Sequence, residues 1–192
     1  MTIKILAFSG SARSDSFNHK LLKVAALGAA DSGAEVTNIS LGHYALPFYN
    51  GDLEIESGLP DNAAALQKLV AESDALLIAS PDYNGGYSAL LKNTLDWISR
   101  PNRQGVSGID YFANKPVAVV SASPGPMGGT RGHVAIRAVL DKLGMVLIPQ
   151  SFALRFAHTA FDNRDCLKDA EVDAAVRAVG AALVRTAFKF AA

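Results

Sequence analysis

The chain has 192 residues, 49% of them hydrophobic, and 18 basic residues balance 18 acidic ones for a formal net charge of zero. That length suits a single core and one domain over 1–192, and the neutral balance excludes the basic footprint of a nucleic-acid or anionic-membrane binder. Cys166 is the only cysteine and the first residues do not read as a secretory leader, so a reducing, cytoplasmic setting without disulfides is expected.

The first apolar run, Ile3-Lys4-Ile5-Leu6-Ala7-Phe8, predicts a strand over 3–9. It feeds Gly-Ser-Ala-Arg-Ser-Asp-Ser-Phe-Asn at 10–18, and a helix over 17–32 follows, with Leu21, Leu22, Val24, Ala25 and Leu27 at helical spacing. A strand, a loop of small hydroxyl residues and a helix start make a phosphate cradle. Ser11 and Ser16 offer hydroxyls, Arg13 a charged fork, Asn18 an amide, and the helix start free backbone N–H groups. The loop lacks the Gly-x-Gly-x-x-Gly of a dinucleotide site and the Gly-Lys-Ser/Thr ending of a triphosphate site. It therefore fits one phosphate group.

A second strand is expected over 34–40, followed by Leu46-Pro47-Phe48-Tyr49-Asn50-Gly51-Asp52 as a loop and by a helix over 61–73 carrying Ala65, Leu66, Leu69 and Val70 on one face. The third strand, 74–80, leads into Pro81-Asp82-Tyr83-Asn84-Gly85-Gly86-Tyr87 and a helix over 88–100. The fourth, 115–122, leads into the glycine-rich run Ser123-Pro124-Gly125-Pro126-Met127-Gly128-Gly129 and a helix over 130–143. A fifth strand over 145–150 and a helix over 168–190 close the chain. None of the apolar runs reaches the roughly 20 residues of a membrane span. Strands alternating with helices imply an α/β fold, a parallel sheet of order 2-1-3-4-5 with helices on both faces. Loops after strands 1, 3 and 4 then converge where the strand order reverses, the usual ligand position in such sheets.

The second and third of these loops suit a flat ligand. Glycines let backbone come close, Tyr83 offers a ring face, and free amides can bond the polar edge of a heterocycle. A phosphate loop beside two ring loops describes a mononucleotide, and FMN is the best candidate.

Three motifs carry a family resemblance over most of the chain: Gly-Ser-x-Arg-x-x-Ser-x-Asn at 10–18, Pro-acid-Tyr-Asn with Leu-Lys-Asn-x-x-Asp-Trp at 81–97, and Ser-x-Gly-x-x-Gly-Gly-x-Arg at 123–131. In them the chain resembles the NADPH-dependent FMN reductases, a flavodoxin-like group that includes chromate, quinone and azo-dye reductases. The resemblance implies a flavodoxin-like three-layer sandwich. It places the FMN phosphate on Ser11, Arg13, Ser16, Asn18 and the backbone of Phe17, and the isoalloxazine on Pro81, Asp82, Tyr83, Asn84 and Gly85, closed from the other side by Ser123, Pro124 and Gly125. It also implies NADPH or NADH as donor of hydride to flavin N5, followed by electron transfer to quinones, free flavin, azo or nitro compounds, or chromate. No side chain has a proton-transfer role, because the cofactor carries the chemistry. The family is usually dimeric or tetrameric, and the loop at 46–52 often borders its substrate pocket.

Three positions depart from the family pattern. Asp82 stands where glutamate is usual, and Gly86 and Ser88 stand where Ser and Pro are usual; Gly86 is expected to loosen the loop and Ser88 to cap the next helix. Lys92, Asn93, Asp96 and Trp97 are expected to fix packing and loop shape rather than touch ligand. Arg131 reads equally well as a surface residue and as a contact between subunits. His19, His43, His133 and His158 show no metal-ligand spacing, so no metal site is expected, and Cys166 has no partner that would mark a reactive thiolate. An electron-carrying flavodoxin and a non-catalytic FMN-binding module stay open beside the reductase, although carriers usually present an acidic face and this chain is neutral.

Overall fold

The computed structural model describes residues 1–191. Its sheet contains β1 (Lys4–Ser9), β2 (Glu35–Ser40), β3 (Ala75–Ala79), β4 (Pro116–Ala122), β5 (Val146–Leu147) and β6 (Phe152–Leu154). The order is β2-β1-β3-β4-β5, with β6 also on β4, and every pairing is parallel. The helices are α1 (Phe17–Asp31), α2 (Gly51–Ser57), α3 (Asp61–Ala71), α4 (Ala89–Ile98), α5 (Thr130–Lys142), α6 (Ala157–Ala160) and α7 (Ala170–Phe190), with single 3-10 turns at Leu41–His43 and Gly108–Tyr111.

This is the flavodoxin-like three-layer arrangement, and side-chain alternation along β1 shows why the chain takes it. Ile5 and Ala7 point into a core under α1 and α7, while Leu6 and Phe8 point into a second core against α3, α4 and α5. Strands β3 and β4 are buried at every position, as parallel strands covered on both faces must be. Helices α1 and α7 cross at glycines. A Cβ on Gly28 would fall on the Arg177 carbonyl, and one on Gly180 on the Ala25 carbonyl, so the two backbones touch directly.

Two expectations are corrected. The strand expected over 145–150 is shortened to β5 at Val146–Leu147, and an additional strand, β6, follows it at Phe152–Leu154; both are laid along β4. Pro149 lies between them and has no N–H to donate to a ladder. The end of the 46–52 run is helical rather than loop: α2 starts at Gly51 and takes in Asp52, capped by Asn50 Oδ1, which accepts from Asp52 N–H at 2.9 Å. It buries no residue completely and packs only Leu53 partly on the core, so it has no broad apolar stripe to betray it. Among the described residues no helix is long and apolar enough to cross a membrane.

Candidate functional site

The loops after β1, β3 and β4 meet at the carboxyl edge of the sheet. They line a cleft of about 110 Å³ with Ser11, Arg13, Ser16, Phe17 and Asn18 from the first loop, Pro81, Asp82 and Tyr83 from the second, and Ala122, Ser123 and Pro124 from the third. Asn84, Gly85 and Gly125 stand outside this lining, further along their loops.

The first loop is built by hydrogen bonds that leave α1 facing the cleft. Gly10 N–H continues the β1–β3 ladder to the Ala79 carbonyl at 2.9 Å, Ser9 Oγ accepts from Ser11 N–H at 3.2 Å, and Ser11 Oγ accepts from Arg13 N–H at 3.3 Å. Ser16 is the N-cap of α1, and its hydroxyl accepts from His19 N–H at 3.4 Å. The N–H groups of Phe17 and Asn18 lie in the first helical turn, where no intrahelical acceptor can reach them. Ser11 and Ser16 are buried, whereas Arg13 is exposed and free to swing onto an anion.

Asn18 has a structural duty that sequence reading missed. Its Nδ2 donates to the Ala122 carbonyl at 2.9 Å and its Oδ1 accepts from Ala122 N–H at 3.0 Å, which locks the start of α1 to the end of β4. One amide N–H is left for a ligand, so Asn18 acts on the cradle mainly by holding it. A strap across the chain holds the outer side. Lys20 Nζ bonds Asp15 at 2.5 Å and Asp165 at 2.8 Å, and the Phe17 ring stacks on Phe161 at 6.3 Å. Asp165 and Phe161 are far away in the chain, and no local signal marks them.

The second loop is a tight hairpin turn. Tyr83 and Gly86 exchange backbone hydrogen bonds of 2.9 and 3.1 Å, while Asn84 and Gly85 have φ of 57° and 81°. Both central residues are thus left-handed, the type I′ geometry that Asn-Gly favours. Gly86 is tied by both bonds, so the expected loosening does not occur. Ser88 does cap α4: its Oγ accepts from Leu91 N–H at 3.2 Å and donates to the Gly10 carbonyl at 2.5 Å, which also joins the first and second loops. Tyr83 stands 53% exposed at the rim, a free ring face beside the cleft.

The third loop is anchored from behind. Ser123 N–H donates to the Leu154 carbonyl at 3.0 Å, Ser123 Oγ accepts from Gly125 N–H at 3.2 Å, and Ser121 Oγ donates to the Gly128 carbonyl at 2.6 Å. Gly129, the N-cap of α5, has φ of 93°, and a Cβ there would sit 2.6 Å from Ser121 Oγ.

The motif residues on α4 hold the segment before α2. Asn93 donates to the Pro47 carbonyl at 2.9 Å and accepts from Tyr49 N–H at 2.8 Å, and Trp97 Nε1 donates to the same carbonyl at 2.7 Å. Tyr49 and Arg100 then grip Glu54 on α2, whose carboxyl is held below its ordinary range chiefly by the Arg100 hydrogen bonds. Burial pushes the His19 and His133 imidazoles below their usual value, and each Nε2 is buried without a partner. Among the described residues no group of His, Cys, Asp or Glu is disposed to hold a metal ion. A larger cavity of about 550 Å³ lies between α1 and the end of β2 and shares only Ser16 with the three-loop cleft.

The donor set of the first loop suits a phosphate monoester, and the cleft is small against the roughly 300–1,000 Å³ of an enclosing ligand pocket. It could grip the phosphate end of FMN and leave the ring along Tyr83 at the rim. Comparison with known proteins points the same way. Residues 3–159 match the model of the family described as NADPH-dependent FMN reductase. An NAD(P)H:quinone oxidoreductase of Solanum tuberosum is 35% identical over 97% of this chain and 94% of its own length. An NAD(P)H-dependent FMN reductase of Pseudomonas aeruginosa is 34% identical over 87% of this chain and 85% of its own. The solved structure of FerB, a flavoenzyme NAD(P)H:(acceptor) oxidoreductase from Paracoccus denitrificans, superposes with a TM-score of 0.81 at 28% identity, covering 98% of both chains.

Proposed function

The chain belongs to the NADPH-dependent FMN reductase family, and from that premise we propose that its three-loop cleft seats FMN for a two-step transfer of electrons from NAD(P)H to small acceptors. It is an oxidoreductase of the FMN- and NAD(P)H-dependent kind. The observation that carries the site assignment is the convergence of Ser11, Arg13, Ser16 and Tyr83 on one cleft with the first turn of α1 open toward it. FMN, when bound, supplies the electron relay between nicotinamide and acceptor.

The residues divide the work of binding and orientation. Arg13, the two serine hydroxyls and the first-turn amides of α1 offer donors to the phosphate, and Asn18 keeps α1 against β4 so that those donors stay aimed. Tyr83, on a turn closed by two backbone bonds, presents its ring at the rim, and Ser123 and Pro124 form the opposite wall, with Gly125 further along the same loop. A cleft this open on one side admits flat oxidants of different kinds in turn. We assign it quinones first, on the Solanum tuberosum relative's activity, with free flavin, azo and nitro compounds and chromate as further acceptors.

We read the chain as one FMN-binding domain that works in the cytoplasm, where its lone exposed Cys166 stays reduced. We propose assembly into a homodimer or homotetramer on the family resemblance, to be checked by multi-angle light scattering. Stopped-flow mixing of the FMN-loaded protein with NADPH or NADH tests the enzyme reading. Rapid loss of the yellow absorbance, regained on adding a quinone, supports a reductase; a spectrum that NAD(P)H leaves unchanged overturns it in favour of a carrier or a binding module.

A further inference from the structure

The Asp82 side chain bonds two of the three loops at once. Its Oδ1 accepts from Gly85 N–H at 2.8 Å, bracing the Asn84-Gly85 turn from within, and its Oδ2 accepts from Gly132 N–H at 3.0 Å in the first turn of α5. Each oxygen serves one loop. The seat between them is tight as well: a Cβ at Gly132 would stand 3.3 Å from the Gly86 carbonyl and 3.5 Å from Asp82 Cα, and one at Gly129 would stand 3.5 Å from Asp82 Cβ. The ring loop cannot shift against α5 without breaking a charge-assisted bond.

Asp82 also lines the cleft, so a carboxylate of fixed position borders the place assigned to the ring. Two N–H donors, one at the positive end of α5, hold that charge where it is. The cationic side chains on the neighbouring loops, Arg13 and Arg131, are exposed and screened by water, whereas Asp82 is half-buried. A ring that takes up electrons gains negative charge, and a nearby fixed carboxylate opposes that gain.

We propose that Asp82 is a positioning residue that clasps the ring loop to α5 and, through its fixed charge, keeps the reduction potential of the bound flavin low. The clasp belongs to the bare protein; the effect on potential rests on the FMN reading given above. Aspartate suits the clasp because its oxygens reach Gly85 and Gly132 together from a backbone already in contact with α5. Glutamate would carry the same charge one methylene further out.

Asp82→Asn and Asp82→Glu separate the two effects. Asparagine keeps one acceptor for Gly85 but sets an amino group against Gly132 N–H and removes the charge; glutamate keeps the charge and spoils the reach. In the FMN-free protein, Asp82→Asn is expected to speed hydrogen exchange at the Gly132 amide about tenfold. In the FMN-loaded protein it is expected to shift the midpoint potential in the positive direction, with Asp82→Glu staying nearer the parent. Unchanged Gly132 protection overturns the clasp, and a potential unmoved or made more negative in Asp82→Asn overturns the electrostatic role. Should Asp82→Asn not fold, Asp82→Ser, which keeps one small acceptor and no charge, is held to the same two outcomes. If the parent protein fails to bind FMN, the functional reading and the electrostatic role fall together, while exchange at Gly132 still decides the clasp.

Discussion

Single residues in the first loop differ in what they do for a ligand. Arg13 is exposed and its guanidinium forms no ion pair or hydrogen bond among the described residues, so it is available to an anion. Arg13→Ala removes a charge-assisted contact worth about 1.5–3 kcal/mol, which is about a ten- to hundredfold rise in the FMN dissociation constant by fluorescence titration, with thermal stability unaltered. Unchanged affinity would refute the phosphate assignment. Asn18 is the contrasting case, because all but one N–H of its amide is taken up by Ala122 and its loss would be felt first in the α1–β4 junction. The residue types of the site were legible in the sequence, since hydroxyls, arginine and Asn-Gly carry their chemistry wherever the fold puts them. The partners were not: nothing near Lys20 announces Asp165, and nothing near Asp82 announces Gly132.

At the scale of elements, the packing of helices sets how far the loops can move. Alanine in a helix interior is favoured over glycine by about 1 kcal/mol, yet at Gly180 the added Cβ would fall on the Ala25 carbonyl. The overlap wins, because α1 and α7 would have to separate along the core they share. Gly180→Ala is therefore expected to lower unfolding stability by about 1–3 kcal/mol in urea titration; a stabilised variant would mean that the crossing is looser than described. Helix α4 restrains a neighbouring segment through side chains. Asn93→Ala removes both bonds to the Pro47–Tyr49 backbone, at about 1 kcal/mol, and hydrogen exchange at Tyr49 N–H should quicken while that at Leu77 in β3 does not. Helical periodicity and continuous apolar runs announced the major elements, because the helices bury one face against a core and the central strands β3 and β4 bury both. α2 buries no residue completely and left no periodic trace, while the fifth strand was announced but neither its short span, Val146–Leu147, nor the separate β6 beyond Pro149 was.

For the whole molecule, pH should act in two windows. His19 and His133 are held below the free imidazole value of 6.5 by burial, so the unfolded chain takes up protons there that the folded one refuses. Their contribution is complete above that value and is lost as pH falls below it. Asp15, Glu54 and Asp162 are held below their ordinary values by lysine, arginine and backbone donors, so their contribution is lost only further down, as pH falls below about the free-carboxyl range. Denaturant midpoints between pH 7 and 5 should therefore fall, and His133→Gln should flatten that fall; an equal slope in the variant would remove His133 from the account. What the sequence by itself determined was the order of elements and the chemistry each loop can offer, because periodicity and side-chain type are local properties. The tertiary structure alone decided which donors face a ligand and which are consumed in holding the scaffold. Asn18 on Ala122, Asp82 on Gly132 and Lys20 on Asp165 join segments far apart in the chain, and only the folded path brings such partners within bonding distance.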